Sequence, residues 1–180
     1  MVLQSRKRVE KSSEAGETLI ETLIAATICI VLVAGVLSLF PVVFSQNETQ
    51  GDLATRTTEY SQDKMEELLS LSFNDGATNT TVYPPTSTGG TGLGGTMAAS
   101  TTVGAVPPSA AVSGYVDYLD YSGNLLTSST GAEYTRQWSI STDSTATLKT
   151  ITAVTTSIVS QGPQGAAPSC VLVCIKSSGL

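Results

Sequence analysis

The apolar and polar positions divide the chain into three regimes. Residues 23–44, "LIAATICIVLVAGVLSLFPVVF", carry no charge over 22 positions. A helix of that length, at about 1.5 Å rise per residue, is roughly 33 Å long and crosses a bilayer core. The apolar part of a secretory signal peptide is only about 7–15 residues long, so the pattern predicts a membrane span. Between 48 and 72 the chain turns polar but keeps good helix formers. Ala54, Ser61, Met65, Leu68 and Ser72 recur at helical spacing, flanked by Leu53 and Leu69, which makes a modest amphipathic stripe. One long helix from 18 to about 71 follows, with 17–46 in lipid and 47–73 as its amphipathic second half.

The second regime, 74–114, is dense in turn residues, with Gly-Gly and Pro-Pro pairs in "YPPTSTGGTGLGGT" and "VGAVPPSA". It has little apolar mass and reads as a long surface connection with room for one short strand. The third regime, 115–180, is strand-like. "YVDYLDY" ends at the turn signal Ser122-Gly123-Asn124. "YTRQWSIST" alternates, with Trp138 and Ile140 on one side, and "TLKTITAVTTSIV" is rich in β-branched residues. "GPQGAAP" makes a loop before a last strand, "SCVLVCIK". About four strands in an antiparallel meander are expected, their apolar face covered by the second half of the helix and Trp138 anchoring the core. The fold class is α+β: a long N-terminal helix, transmembrane in its first half, packed on a C-terminal antiparallel sheet.

Charge gives this arrangement a direction. Arg6, Lys7, Arg8 and Lys11 precede the apolar run against only Glu10 and Glu14, whereas from Glu17 onward five Lys/Arg face thirteen Asp/Glu, a net −8. Positive charge stays cytoplasmic, so the acidic remainder crosses the membrane. An acidic body without a basic patch excludes a nucleic-acid-binding reading. The chain has no histidine, which removes the commonest general base and the most frequent metal ligand. The glycines of "GGTGLGG" lack the lysine of a phosphate loop. No catalytic constellation, cofactor site or metal site is expected. Asp117 and Asp120 are the only clustered carboxylates that could aid a calcium ion, and as a pair they read as exposed acids at a sheet edge.

Cys29 lies in the apolar run and reads as a small hydrophobe. Cys170 and Cys174 are four apart in one strand, roughly 13 Å at about 3.3 Å per residue. That exceeds disulfide reach. Packed free thiols are expected, with a distorted local bridge or an intermolecular bridge as alternatives.

One carboxylate, Glu21, sits in the first turn of the apolar helix, preceded by Gly16-Glu17 and the segment "TLIETLIAA", 18–26. An ionisable group at membrane depth costs a few kcal/mol unless paired or close to the interface, and an acid in a helix's first turn gains from the macrodipole. A short basic leader, a glycine, Thr-Leu-Ile-Glu and an uninterrupted apolar helix closely resemble the N-terminal signature of type IV pilins and type II secretion pseudopilins. "KMEELLSLSF" and the strand "RQWSI" followed by "LKTITAV" resemble minor pilins of the PilV and GspI type. The resemblance implies a cytoplasmic leader of 1–16, cut between Gly16 and Glu17 by a membrane-embedded prepilin peptidase, with N-methylation of Glu17. It makes Glu21 the fifth mature residue, which meets the N-terminus of a neighbouring subunit during assembly, and it makes Pro41 a site of helix bending. It implies as partners the peptidase, other pilin or pseudopilin subunits, an inner-membrane assembly machinery and the lipid bilayer. The location implied is a single-pass protein of the bacterial inner membrane, head in the periplasm, then a filament. The sequence departs from the signature at Glu17, where the family carries Phe or another apolar residue. The alternative is an uncleaved single-span envelope protein with a β-rich partner-binding head.

Overall fold

The computed structural model describes residues 14–159 and 167–179. Helix α1 runs Glu14–Ser70, continuing through Pro41. The strands are β1 (Thr102–Gly104), β2 (Val116–Leu119), β3 (Leu125–Leu126), β4 (Tyr134–Thr142), β5 (Leu148–Ser157) and β6 (Ser169–Ser177). Contacts divide the chain into two compact units, Met1–Asn47 and Glu48–Leu180. The four expected strands are present and antiparallel, joined by the two short strands β1 and β3.

β4 is the organising strand. Its burial alternates at every position, with Tyr134, Arg136, Trp138, Ile140 and Thr142 facing inward. β5 pairs along all of one edge, from Tyr134↔Ser157 to Thr142↔Lys149. Two strands share the other edge: β2 opposite Tyr134–Gln137 and β1 opposite Ser139–Ser141. β3 extends β2, and β6 closes the far side on β5. Gly104 of β1 has φ +72°, and a Cβ there would lie 2.3 Å from the carbonyl oxygen of Trp138, so only glycine lets this strand pair.

The helix face that packs on the sheet keeps Leu53, Ser61, Met65 and Leu68 of the expected stripe and departs from it at Ala54 and Ser72. Leu53, Thr57, Tyr60, Ser61, Lys64, Met65 and Leu68 are buried, at the three- and four-residue spacing of one helical face. Ala54 is exposed, and Ser72 is exposed and lies beyond the helix end. The inward face carries Lys64 and Thr57, residues that an apolar count skips. Met65, Leu68, Trp138, Ile140, Ile151 and Tyr115 form the main core cluster; Leu53, Tyr60, Leu119 and Tyr134 form a second.

The 74–114 segment is not a bare connection. Leu93 is fully buried and Met97 nearly so, both in the main core. The Asp75 carboxylate accepts hydrogen bonds from the Ala77 and Thr78 N–H groups and the Thr78 hydroxyl, at 2.7–3.0 Å. The Asp75 carbonyl accepts from Leu93 and Gly95 N–H, each at 2.8 Å. The segment's few apolar residues are concentrated where they reach the core.

Candidate functional site

The first unit is a helix with nothing of its own to bury. Its large apolar side chains stand in the open, from Phe40 at 49% to Ile30 at 69% exposed. An apolar surface this continuous must be covered by lipid or by other helices. Among the described residues α1 holds the only helix long and apolar enough to cross a membrane. Its hydroxyls suit that setting. Thr22 donates to the carbonyl of Leu19 at 3.0 Å, Thr27 to Leu23 at 2.7 Å and Ser38 to Gly35 at 2.7 Å. These three hydroxyls are satisfied within the helix, as a spanning segment requires. Gly16 and Glu17 lie in the opening turns of α1; Glu21 follows one turn on and is exposed. Cys29 is exposed on the same segment. Residues 1–13, the basic part of the expected leader, lie outside the described residues.

The second unit contains an ionic core. Asp117, on β2, is almost wholly buried, not an exposed edge acid. Arg136, two residues from Trp138 on β4, holds it with a two-pronged pair at 2.7 and 2.9 Å. Lys64 of α1 lies 2.9 Å from Asp117 Oδ2, an oxygen it shares with Arg136 Nη2, and 2.9 Å from Glu67. The Lys64 ammonium also donates to the Thr80 carbonyl and sits 4.2 Å over the Trp138 ring. Arg136 donates in addition to the Tyr60 carbonyl at 3.3 Å. One carboxylate thus ties helix to sheet through two cations. Asp120 is committed elsewhere: it accepts from the Ser122 and Asn124 N–H groups and the Asn124 side chain at 2.8–2.9 Å, closing the turn where Gly123 takes φ +84°. Among the described residues no cluster of three or more metal-ligating side chains occurs.

Two more lysines act at the end of α1 and just beyond it. The last turn of the helix contains no basic residue, yet its terminal carbonyls attract cations. The sheet supplies them. Lys176 of β6 donates to the carbonyls of Leu69 and Leu71. Lys149 of β5 is buried and donates to the carbonyls of Phe73, Leu93 and Gly95 at 2.7–2.8 Å. Burial pushes the Lys149 ammonium below its ordinary range, with Asp75 opposing the shift and Lys176 adding to it. We expect Lys149→Met to cost about 1–3 kcal/mol, because three buried carbonyls lose their donor. Urea unfolding monitored through Trp138 measures this; an unchanged midpoint would show that the carbonyls find water instead.

The fifth cation of this unit, Arg56, pairs with Asp52 at 3.1 Å and stacks 4.1 Å over the Tyr121 ring. All five Lys/Arg after Glu17 are therefore engaged internally, which leaves the surface acidic. Signals for the four buried or capping cations were present in the alternation: Arg136 is in phase with Trp138, Lys149 with Ile151, Lys176 with Cys174, and Lys64 is one turn from Leu68. Reading apolar residues alone passes over them.

The carboxylates that close turns make the fold acid-sensitive. Asp143 is held down to about 2, chiefly by the Thr145 hydroxyl and then by backbone N–H groups including Leu148 and Thr147. Asp120 is lowered by Asn124. Burial pulls Asp75 upward, but its bonds from Thr78 and Ala77 outweigh that and leave it lowered. A carboxylate depressed in the fold adds stability above its ordinary pKa of about 4 and loses it as pH falls through the folded value. The urea midpoint should therefore fall steadily from about pH 5 to about pH 2, with a shallower slope in Asp143→Asn. A flat profile would show these bonds persist in the unfolded chain.

Cys170 and Cys174 are free and half-buried on the inward side of β6, with Leu172 between them. No protein-family model, no curated protein and no solved structure matches the chain.

Proposed function

We propose that this chain is a structural subunit, a minor pilin or pseudopilin, of a type IV pilus or a type II secretion-like filament. The observation that carries the reading is the opening of α1. An apolar helical surface is exposed all round, one acid, Glu21, stands at its front, and Gly16-Glu17 lies just ahead of it. A mere anchor explains the length but not the acid. In a filament the apolar segments of neighbouring subunits replace lipid around one another, and each backbone stays satisfied within its own helix. Glu21 then meets the cut amino terminus of a neighbour, so two charges that are costly alone in an apolar setting neutralise each other. The chain would wait in the inner membrane with its head in the periplasm. The ionic core and the lysine-held helix end support this reading by tying the sheet to residues 60–71.

The test is the mass and N-terminal sequence of the membrane-extracted chain, expressed with and without a prepilin peptidase. A chain beginning at Glu17 only when the peptidase is present supports the proposal, and a further increase of about 14 Da reports methylation. A chain that begins at Met1 beside active peptidase leaves the second reading, an uncleaved membrane-anchored protein with a β-rich binding head. We further expect Glu21→Gln to be processed normally yet to be lost from sheared filaments by roughly tenfold, since one unpaired charge is worth at least 1.4 kcal/mol. Normal incorporation of this variant would remove the charge-pairing role.

A further inference from the structure

β6 ends the sheet, and among the described residues no strand pairs with its far edge. The bonds at its two ends fix which residues face that edge. Ser157 N–H donates to the Pro168 carbonyl, and Ser178 N–H to the Thr147 carbonyl, both at 2.9 Å. In this register Cys170 opposes Thr155, Leu172 opposes Ala153 and Cys174 opposes Ile151. Residues that exchange both bonds alternate along an antiparallel ladder. Cys170, Leu172 and Cys174 therefore turn their backbone groups toward β5. Val171, Val173 and Ile175 turn theirs to the open edge. Their side chains are also 58%, 62% and 64% exposed, on the sheet face opposite the cysteines. A nine-residue edge strand with this apolar ladder is a template for another strand.

The edge reads the same in both directions about Leu172: Cys170-Val171-Leu172-Val173-Cys174. We propose that β6 pairs antiparallel with β6 of a second copy of this chain, centred on Leu172, and that two Cys170–Cys174 disulfides lock the pair. In that register Val171 of each copy opposes Val173 of the other, and these valines are the residues whose N–H and C=O groups are free to bond. Leu172 meets Leu172. Cys170 of each copy meets Cys174 of the other at a non-hydrogen-bonded position. There the Cα atoms are about 4.5 Å apart, inside the roughly 4.4–6.8 Å window of a disulfide. Within one chain the two thiols are too far apart to bridge. Centring on Val173 would set Cys174 against Leu172 and Cys170 against Lys176, and centring on either cysteine would pair it only with its own counterpart, so only the Leu172 register bridges all four thiols. Charge agrees with it. Residues 167–175 are uncharged, and the two Lys176 side chains fall at opposite ends of the pair, each against Pro168 of the other copy.

Each bridge forms by exchange with an external low-molecular-weight disulfide. The Cys170 thiolate displaces one thiol from it. The Cys174 thiolate of the second copy then attacks the mixed disulfide, and the second thiol leaves. Two cysteine thiols are oxidised, one external disulfide is reduced to two thiols, and the two protons end on those thiols. The two-fold axis is normal to the sheet, so the 48–70 helical segments of the two copies run in opposite directions.

The test uses the full chain in detergent micelles, carrying Cys29→Ser so that only the β6 thiols remain. It is incubated with oxidised glutathione and read by non-reducing electrophoresis and intact mass. The expected result is a dimer that reductant dissolves. Cys170→Ser alone and Cys174→Ser alone stay monomeric, and mixing the two restores a singly bridged dimer. Val173→Lys, with its side chain on the exposed face, keeps the folded Trp138 emission and loses the dimer. Three outcomes would overturn the proposal: an internal bridge within the monomer, dimer from either single variant as readily as from the mixture, or monomer throughout. None of them depends on whether Gly16-Glu17 is cut.

Discussion

Asp117→Ala should destabilise the head by about 3–5 kcal/mol, the cost of removing one partner from a buried ion pair. The loss exceeds the value of the missing contacts. Arg136 and Lys64 both stay buried beside each other, with Glu67 alone, at the margin, to compensate them. Trp138 is the chain's single tryptophan and lies under the Lys64 ammonium, so its emission reports the site directly. Urea unfolding in micelles should show a lower midpoint with an unchanged slope. Adding Arg136→Met to Asp117→Ala should recover part of the loss, because one stranded charge disappears and an apolar side chain of similar length replaces it. A single variant within about 1 kcal/mol of the parent would mean that water enters and solvates the two cations.

On the proposed pilin reading, Gly16→Val should abolish maturation, leaving a chain that begins at Met1 even with active prepilin peptidase. The physical reason is local. A residue just before a cut lies against the enzyme along an extended backbone, and glycine brings no Cβ to that contact. Valine adds a branched group at the same point and stiffens the segment. Membrane insertion should be unaffected, because residues 23–44 remain uncharged and apolar. Mass spectrometry of membrane extracts separates the two effects: the variant present in membranes at full length fulfils the expectation, and a variant still beginning at Glu17 contradicts it.

Much of this fold is legible in the sequence because it rests on periodicity. The long helix follows from an uncharged run that passes into a helical stripe, and β4, β5 and β6 from alternation and β-branched content. That Cys170 and Cys174 do not bridge each other within one chain follows from strand spacing. What eluded the pattern is the polar part of the core. Lys64, Asp117, Arg136 and Lys149 sit at inward positions, but charged residues are counted as surface unless their partners are known, and here the partners come from three separated segments. Leu93 and Met97 were hidden for a related reason. They are isolated apolar residues in a Gly- and Thr-rich stretch, held on the core by backbone bonds to Asp75 and by the Lys149 ammonium on the Leu93 and Gly95 carbonyls. At the N-terminal segment the resemblance is read residue by residue, whereas the role it implies involves neighbours that one chain does not contain.

The way the sheet grips the helix has a mechanical consequence. The Tyr60 carbonyl is held by Arg136, Ser61 by Thr155 at 2.7 Å, Lys64 by Asp117, and the carbonyls at the helix end by Lys176. These anchors are spread along more than two turns of one helix face. A pull along the axis from the Glu48 side loads them all at once, in shear, instead of opening them one after another as peeling would. The head resists traction as a unit until all of the anchors give way together.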